Sequence, residues 1–183
     1  MTRFFLFLAL VALSVTAMPA HAQVSGLWLG KDDKDPITDK QNALAMIYDN
    51  QIAGTLAARC RDGHPDLFVS TTEPNFKPGE IVKVMLRFDS EAPKEMRAIA
   101  TEPNLLVIDG PPSEKMLPIL KAKQLAVRFP GTFGRSITLT FSPALRANTL
   151  SLVGRVLAAC DLAPYPQSEI DAEVKSSGEP GRK

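Results

Sequence analysis

The feature that most constrains the fold is a succession of short apolar or alternating runs that begins after Ser25. Glycine, proline, aspartate and asparagine separate these runs, a pattern typical of a domain built from short β-strands. The runs predict nine strands, at residues 26–30, 43–48, 55–61, 67–70, 81–88, 96–100, 105–108, 125–129 and 136–141. Because 45% of the residues are hydrophobic, the chain has enough apolar material for the core of one domain.

Two of these runs carry further information. The Asp62-Gly63 pair, between the runs 55–61 and 67–70, is a strong hairpin signal. In the run 81–88 the alternation places Lys83 and Arg87 on one side, so we expect that side of the strand to face solvent.

Two segments predict helices. Ser113 is the expected N-cap of a short helix that ends near residue 123. Ser142 and Pro143 predict the start of a second helix, as the N-cap and the first helical position. Its apolar stripe consists of Leu150, Val153, Leu157 and Cys160. The strands and this helix together predict a mainly β, antiparallel β-sandwich-like domain with a C-terminal α-helix.

The N-terminus has the pattern of a signal peptide. Arg3 precedes the apolar run 4–13, and Ala20-His21-Ala22 forms a cleavage site of the A-x-A kind. The apolar run is shorter than the roughly 20 residues that span a bilayer. We therefore predict a signal peptide at 1–22, a folded domain at 23–163 and no stable membrane insertion after cleavage. The polar, proline-containing stretch 164–183 is expected to be a disordered tail.

The charge balance and the scarcity of histidine exclude several functions. Cleavage after Ala22 would remove Arg3 and leave 20 basic and 20 acidic residues, so a neutral chain has no general attraction for nucleic acid. His64 would be the one remaining histidine, which is too few for the common zinc sites. The standard motifs of hydrolases and nucleotide-binding loops are absent. We therefore predict no catalytic residue, metal or cofactor.

The two cysteines, Cys60 and Cys160, lie about 100 residues apart in a chain expected to be exported. Disulfide formation is the default for two cysteines outside the cytosol. One disulfide between them is therefore predicted. The alternative is a nucleophilic thiol activated by His64.

Three groups of residues are candidates for binding. The acidic stretch 31–39 could ligate calcium or form a polar loop whose aspartates bond the backbone. The stretch 115–135 is locally basic, and within it Arg128 and Arg135 are predicted to bind an anion or a glycan, the alternative being a solvated face of mixed charge. Trp28 is either a ligand platform or part of the core.

The order of several short motifs resembles a known family. They are Gly26-Leu27-Trp28, Pro36-Ile37-Thr38-Asp39, Arg59-Cys60-Arg61-Asp62-Gly63, the segment 84–89 with the pattern V-x-x-R-x-D, and Ala158-Ala159-Cys160. Together they resemble the TagO/VasI family of periplasmic proteins associated with type VI secretion. The resemblance implies a small exported accessory protein with a β-sandwich-like fold and a disulfide, and with no catalytic residues to carry over.

These observations predict a periplasmic or secreted, non-catalytic accessory or binding protein with a role in type VI secretion. It would present a surface to a protein or to a cell-envelope component, and its oligomeric state is left open. Two alternatives remain. One is a small periplasmic hydrolase that uses His64 and nearby carboxylates on cell-envelope material, and the other is a small-ligand carrier with a cavity beneath Trp28.

Overall fold

A computed structural model of the chain describes residues 26–73, 76–162 and Ser168. The predicted signal peptide at 1–22 lies outside the described residues, and so does the predicted tail at 164–183 apart from Ser168.

Nine strands form a single antiparallel sheet in the described part of the chain. They are β1 (Leu29–Lys34), β2 (Gln41–Tyr48), β3 (Gly54–Arg61), β4 (His64–Thr71), β5 (Ile81–Phe88), β6 (Lys94–Glu102), β7 (Leu105–Ile108), β8 (Leu125–Pro130) and β9 (Ser136–Phe141). Their order across the sheet is β1-β2-β3-β4-β7-β6-β5-β8-β9. The predicted mainly β, antiparallel fold is confirmed, and each predicted strand overlaps an observed one.

The sheet curls into a half-barrel around one core. Alternate residues of the strands, such as Leu56, Val84 and Val127, point to the inner side and are fully buried. The curl brings β9 back toward the β2–β3 turn, where the Asn50 N–H donates to the Thr140 carbonyl at 2.9 Å. One curled sheet thus surrounds the core in the way that the two layers of a sandwich would. We call the core side the inner face and the opposite side the outer face.

The C-terminal helix α2 (Arg146–Ala159) covers the inner face of β2 and β3. Its predicted apolar stripe is buried, and small residues such as Ala45 and Ala58 lie opposite it on the sheet. At the end of the helix, Cys160 forms the predicted disulfide with Cys60 of β3. Since the chain has no other cysteine, no thiol remains for a nucleophilic mechanism with His64.

The predicted start of α2 is wrong. The N-cap is Leu145, without a side-chain cap, and the helix begins at Arg146 rather than at Pro143. The reason is tertiary contact before the helix: the Ala144 N–H donates to the Gly26 carbonyl at 2.7 Å, and Ser142 Oγ accepts from Asn50 Nδ2 at 3.1 Å. These bonds use the groups that a helix starting at residue 143 would need.

The first predicted helix is also shorter than expected. Helix α1 covers Pro112–Lys115, its N-cap is Pro111 rather than Ser113, and a separate 3₁₀ turn follows at Leu117–Leu120. Pro118 explains the break, since proline has no N–H to continue the ladder.

Strand β1 begins later and runs further than predicted. Leu29 is its first residue, and it continues to Lys34 through the first part of the stretch predicted as a polar loop. Gly26 instead adopts a positive φ of 89° and bonds Ala144. As an edge strand, β1 carries exposed Lys and Asp side chains, which oppose pairing with another sheet. No helix in the described part of the chain is long and apolar enough to cross a membrane.

Candidate functional site

The strand register aligns one apolar residue from each of seven neighbouring strands on the outer face. This apolar row, in order across the sheet, consists of Leu29, Met46, Ala57, Phe68, Val107, Ile99 and Ile81. With strands about 4.8 Å apart, the row is about 29 Å long. It lies on the side opposite the core, and none of its residues belongs to the core cluster.

The apolar row is most open at its two ends. Ile81 is 66% exposed, Ile99 44% and Leu29 41%. Near the middle, the Arg59 guanidinium lies over the Phe68 ring, 4.4 Å from its centroid. This cation–π contact leaves little of the ring exposed and keeps a charge above it.

Three ion pairs lie along one side of the apolar row. They are Arg59 with Asp66, Arg97 with Asp109 and Lys83 with Glu95, with N–O distances of 2.7, 2.7 and 2.9 Å. The hydrogen bond from Arg97 lowers the pKa of Asp109, and the hydrogen bond to Glu95 raises the pKa of Lys83. The other side of the row carries Tyr48, Thr55 and Ser70. A row of apolar side chains bordered by polar groups and by ion pairs of balanced charge is similar in composition to a protein interface, which has an apolar core and a polar rim.

A groove of about 380 Å³ lies on the outer face over β5, β8 and β9. We call it the arginine groove. Its polar lining consists of Arg87, Arg128, Asp89, Gln124, Thr138 and Thr140, and its apolar lining of Met85, Pro93 and Ala126.

Both arginines of this groove are anchored through Nε. Arg128 Nε donates to Thr138 Oγ1 at 3.0 Å, and Arg87 Nε donates to the Asp89 carbonyl at 3.0 Å. The Asp89 carboxylate accepts the N–H groups of Lys123 and Gln124, each at 2.8 Å. Among the residues that the structure describes, neither guanidinium is paired with a carboxylate.

The structure does not bring the three predicted binding residues together. Trp28 is 1% exposed and belongs to the core, and its indole N–H has no partner in the described part of the chain. Arg128 lies in the arginine groove. Arg135 lies in the β8–β9 connection, where its carbonyl accepts the Gly131 N–H at 2.6 Å. Arg128 is therefore grouped with Arg87, which the sequence placed on a solvent-facing side of its strand.

The basic stretch 115–135 does not form one surface. Lys115 is buried, its Nζ donates to the Ile108 carbonyl at 2.8 Å, and burial lowers its pKa. A cluster of basic residues along the chain is therefore divided between the interior, the outer face and a loop.

The aspartates of the acidic stretch 31–39 form hydrogen bonds and ion pairs with other residues of the chain. Asp35 Oδ1 accepts the N–H groups of Ile37 and Thr38 at 2.8 and 2.7 Å, and the bonds from Thr38 and Ile37 lower its pKa. Asp32 pairs with Arg155, and Asp39 pairs with Lys34. Within residues 26–73 and 76–162, no three His, Cys, Asp or Glu side chains are grouped to hold a metal ion.

His64 lies at the start of β4, in the tight β3–β4 turn, and is exposed. The residue opposite it in the register is Arg61. Asp62 and Gly63 of this turn both have positive φ, which confirms the predicted hairpin.

The fold and its outer face define a β-rich domain with a helix tied to one side of the sheet and an apolar row on the other. No family model, curated protein or solved structure matches the chain.

Proposed function

We propose that the chain is a non-catalytic binding protein that receives a protein partner on the outer face of its sheet. The observation that carries the proposal is the apolar row, in register across seven strands and opposite the core. Three of its residues, Leu29, Ile99 and Ile81, are exposed, and exposed apolar patches with a polar rim mark interaction sites.

The inner face supports this assignment. Helix α2 covers β2 and β3 there, and the Cys60–Cys160 disulfide ties the helix to β3. A partner that reached the inner face would have to displace a covalently held helix. The outer face has no such cover in the described part of the chain.

The charge and shape of the outer face favour a protein over other partners. The rim pairs three cations with three anions, so it offers no net attraction to nucleic acid or to anionic lipid. The outer face is convex because the sheet curls around its core, and two convex faces touch over a narrow strip. A second copy of the chain is therefore a poor match, and a partner with a flat or concave apolar surface is a good one.

The proposed compartment is the periplasm. The signal-peptide pattern and the disulfide, which persists in an oxidising compartment, support this. N-terminal sequencing of the exported protein is expected to begin at Gln23. An intact Met1 in the envelope fraction would contradict cleavage.

Within the periplasm we place the chain as an accessory protein of type VI secretion, on the resemblance of its motif order to the TagO/VasI family. A strain that lacks the chain is expected to release less type VI effector, and the wild-type chain should restore release. Normal effector release from the deletion strain would contradict this role, whereas the docking surface has its own test.

That test is site-specific photo-crosslinking in the organism that produces the chain. The photo-reactive residue p-benzoylphenylalanine replaces Ile81 or Ile99 of the apolar row, with Ile37 as the matched control. Ile37 is 90% exposed and apolar but lies in the β1–β2 turn beyond Lys34, the last residue of β1, whereas the row crosses β1 at its first residue, Leu29. The proposal predicts one discrete protein adduct from both row positions and none from Ile37. Equal adducts from all three positions, an adduct with lipid, or an adduct with a second copy would overturn it.

A further inference from the structure

We propose that the arginine groove binds the side-chain carboxylate of an acidic residue in a peptide. The inference goes beyond the docking of a partner on the apolar row and does not require it. It stands on the geometry of Arg87 and Arg128 and on how their neighbours are already engaged.

The register makes the two arginines diagonal neighbours. Arg128 lies between Met85 and Thr138, and Arg87 lies opposite Ala126 in the next row of the same face. Diagonal neighbours of this kind have Cα atoms about 7–8 Å apart, which is within reach of long side chains. One ligand group between them can therefore contact both guanidiniums.

Each guanidinium is held in one orientation by its Nε–H bond, while its terminal N–H groups remain available to a ligand. The Nε atoms are bound to Thr138 Oγ1 and to the Asp89 carbonyl, which limits how far each fork can turn. The terminal nitrogens keep their donors, in the planar arrangement that matches the two oxygens of a carboxylate. Two forks held in this way need little ordering when a carboxylate binds.

The groove has an uncompensated positive charge. Asp89 is its one acidic lining residue, and its carboxylate already accepts the Lys123 and Gln124 N–H groups. With two arginines and one aspartate, the lining carries one net positive charge, which favours an anion over a neutral ligand.

The rest of the lining favours a peptide carboxylate over inorganic phosphate. Met85, Pro93 and Ala126 provide an apolar wall for methylene groups, and Gln124 and Thr140 can bond the neighbouring amides. The volume of about 380 Å³ lies within the range of small-ligand sites, roughly 300–1,000 Å³. A small, strongly hydrated phosphate would leave the apolar wall unused.

The experiment titrates the ¹⁵N-labelled chain, residues 23–183 with the disulfide intact, with N-acetyl-glutamate amide. N-acetyl-glutamine amide is the matched uncharged ligand, and inorganic phosphate is the competing anion. We expect saturable shifts of the Thr138 and Thr140 amide signals with the glutamate ligand, and much weaker binding of the other two. Arg87→Gln and Arg128→Gln should each weaken binding by about tenfold or more, because each removes charged hydrogen bonds.

Two further variants separate the roles of charge, position and guanidinium geometry. Arg97→Gln is the matched control, since Arg97 lies on the same face but is paired with Asp109, and it should leave the affinity within about twofold. Arg128→Lys keeps the charge and loses the fork, so binding should weaken but remain saturable. Equal shifts with the glutamine ligand, stronger binding of phosphate, or an equal loss with Arg97→Gln would overturn the proposal. Amide spectra of each unliganded variant confirm that it is folded.

Discussion

Asn148 of α2 binds both backbone polar groups of Trp28. Its Oδ1 accepts the Trp28 N–H at 2.7 Å, and its Nδ2 donates to the Trp28 carbonyl at 3.2 Å. The side chain bonds the backbone just before β1 as a neighbouring strand would. Since Cys160 joins the other end of the helix to β3, α2 is fixed at both ends, to the segment just before β1 and to β3. This double attachment keeps the inner face covered and leaves the outer face for binding.

Replacement of Asn148 by Ala should lower the free energy of unfolding by about 1–3 kcal/mol, because two backbone groups lose their partner in a partly buried place. Urea unfolding measures the change. Ser151→Ala, on the same helix, is the control and should change stability by less than about 0.5 kcal/mol. Equal effects of the two variants would show that the Asn148 bonds add nothing.

Removal of the disulfide in the double variant Cys60→Ser, Cys160→Ser should destabilise the domain by up to about 4.7 kcal/mol. This is the chain-entropy value for a closed loop of about 100 residues. Urea unfolding of the oxidised, reduced and double-variant proteins gives the comparison. If reduction leaves the unfolding midpoint unchanged, the disulfide is not the attachment that we describe.

Ala45 and Ala57 test the assignment of the two faces. Ala45 is fully buried on the inner face of β2, beneath α2, whereas Ala57 lies on the outer face of β3 and is partly exposed. Ala45→Leu should cost about 1–3 kcal/mol by overpacking against the helix, and Ala57→Leu should cost much less. Thermal unfolding of both variants measures the loss of stability. A larger loss in Ala57→Leu than in Ala45→Leu would contradict the arrangement of the faces.

Asp109 predicts a pH dependence. The hydrogen bond from Arg97 holds the pKa of Asp109 below its ordinary value of 3.8. The pair therefore contributes stability that is complete above pH 3.8 and is lost as the pH falls through the lower folded pKa. In Arg97→Gln, an NMR titration of the Asp109 carboxyl carbon should show a higher pKa. The same pKa in both proteins would mean that the ion pair does not form in solution.

The sequence predicted the elements that local patterns govern. Alternation and turn residues located all nine strands, spacing located the buried face of α2, and the expected export predicted the disulfide. The Asp62-Gly63 pair predicted the hairpin because a tight hairpin turn requires positive φ, which both residues have.

Elements that depend on distant contacts could not be predicted. The bonds of Ala144 with Gly26 and of Ser142 with Asn50 delay the start of α2, although the local cap signal was strong. The charged residues of β1 form a strand because β2 offers them partners at the sheet edge.

The candidate site was the least predictable part. Ile81 and Leu29 belong to one row because of the strand order, in which β7 and β6 lie between β4 and β5. Arg87 and Arg128 meet because β5 pairs with β8. The sequence shows only that an apolar or a basic residue lies on the solvent side of a strand. It does not show which strands are neighbours in the sheet.

The central claim is that the apolar row is the docking surface for a protein partner. Its most direct test is the yield of the in-cell crosslink from p-benzoylphenylalanine at Ile81 when a charge is placed beside it. Ile99 is the cross-strand neighbour of Ile81, so Ile99→Asp puts a carboxylate into the row, whereas Ile37→Asp puts the same charge in the β1–β2 turn, six strands away from β5 across the sheet. The account predicts that Ile99→Asp abolishes the adduct and that Ile37→Asp leaves it unchanged. An undiminished adduct in the folded Ile99→Asp protein would contradict the claim.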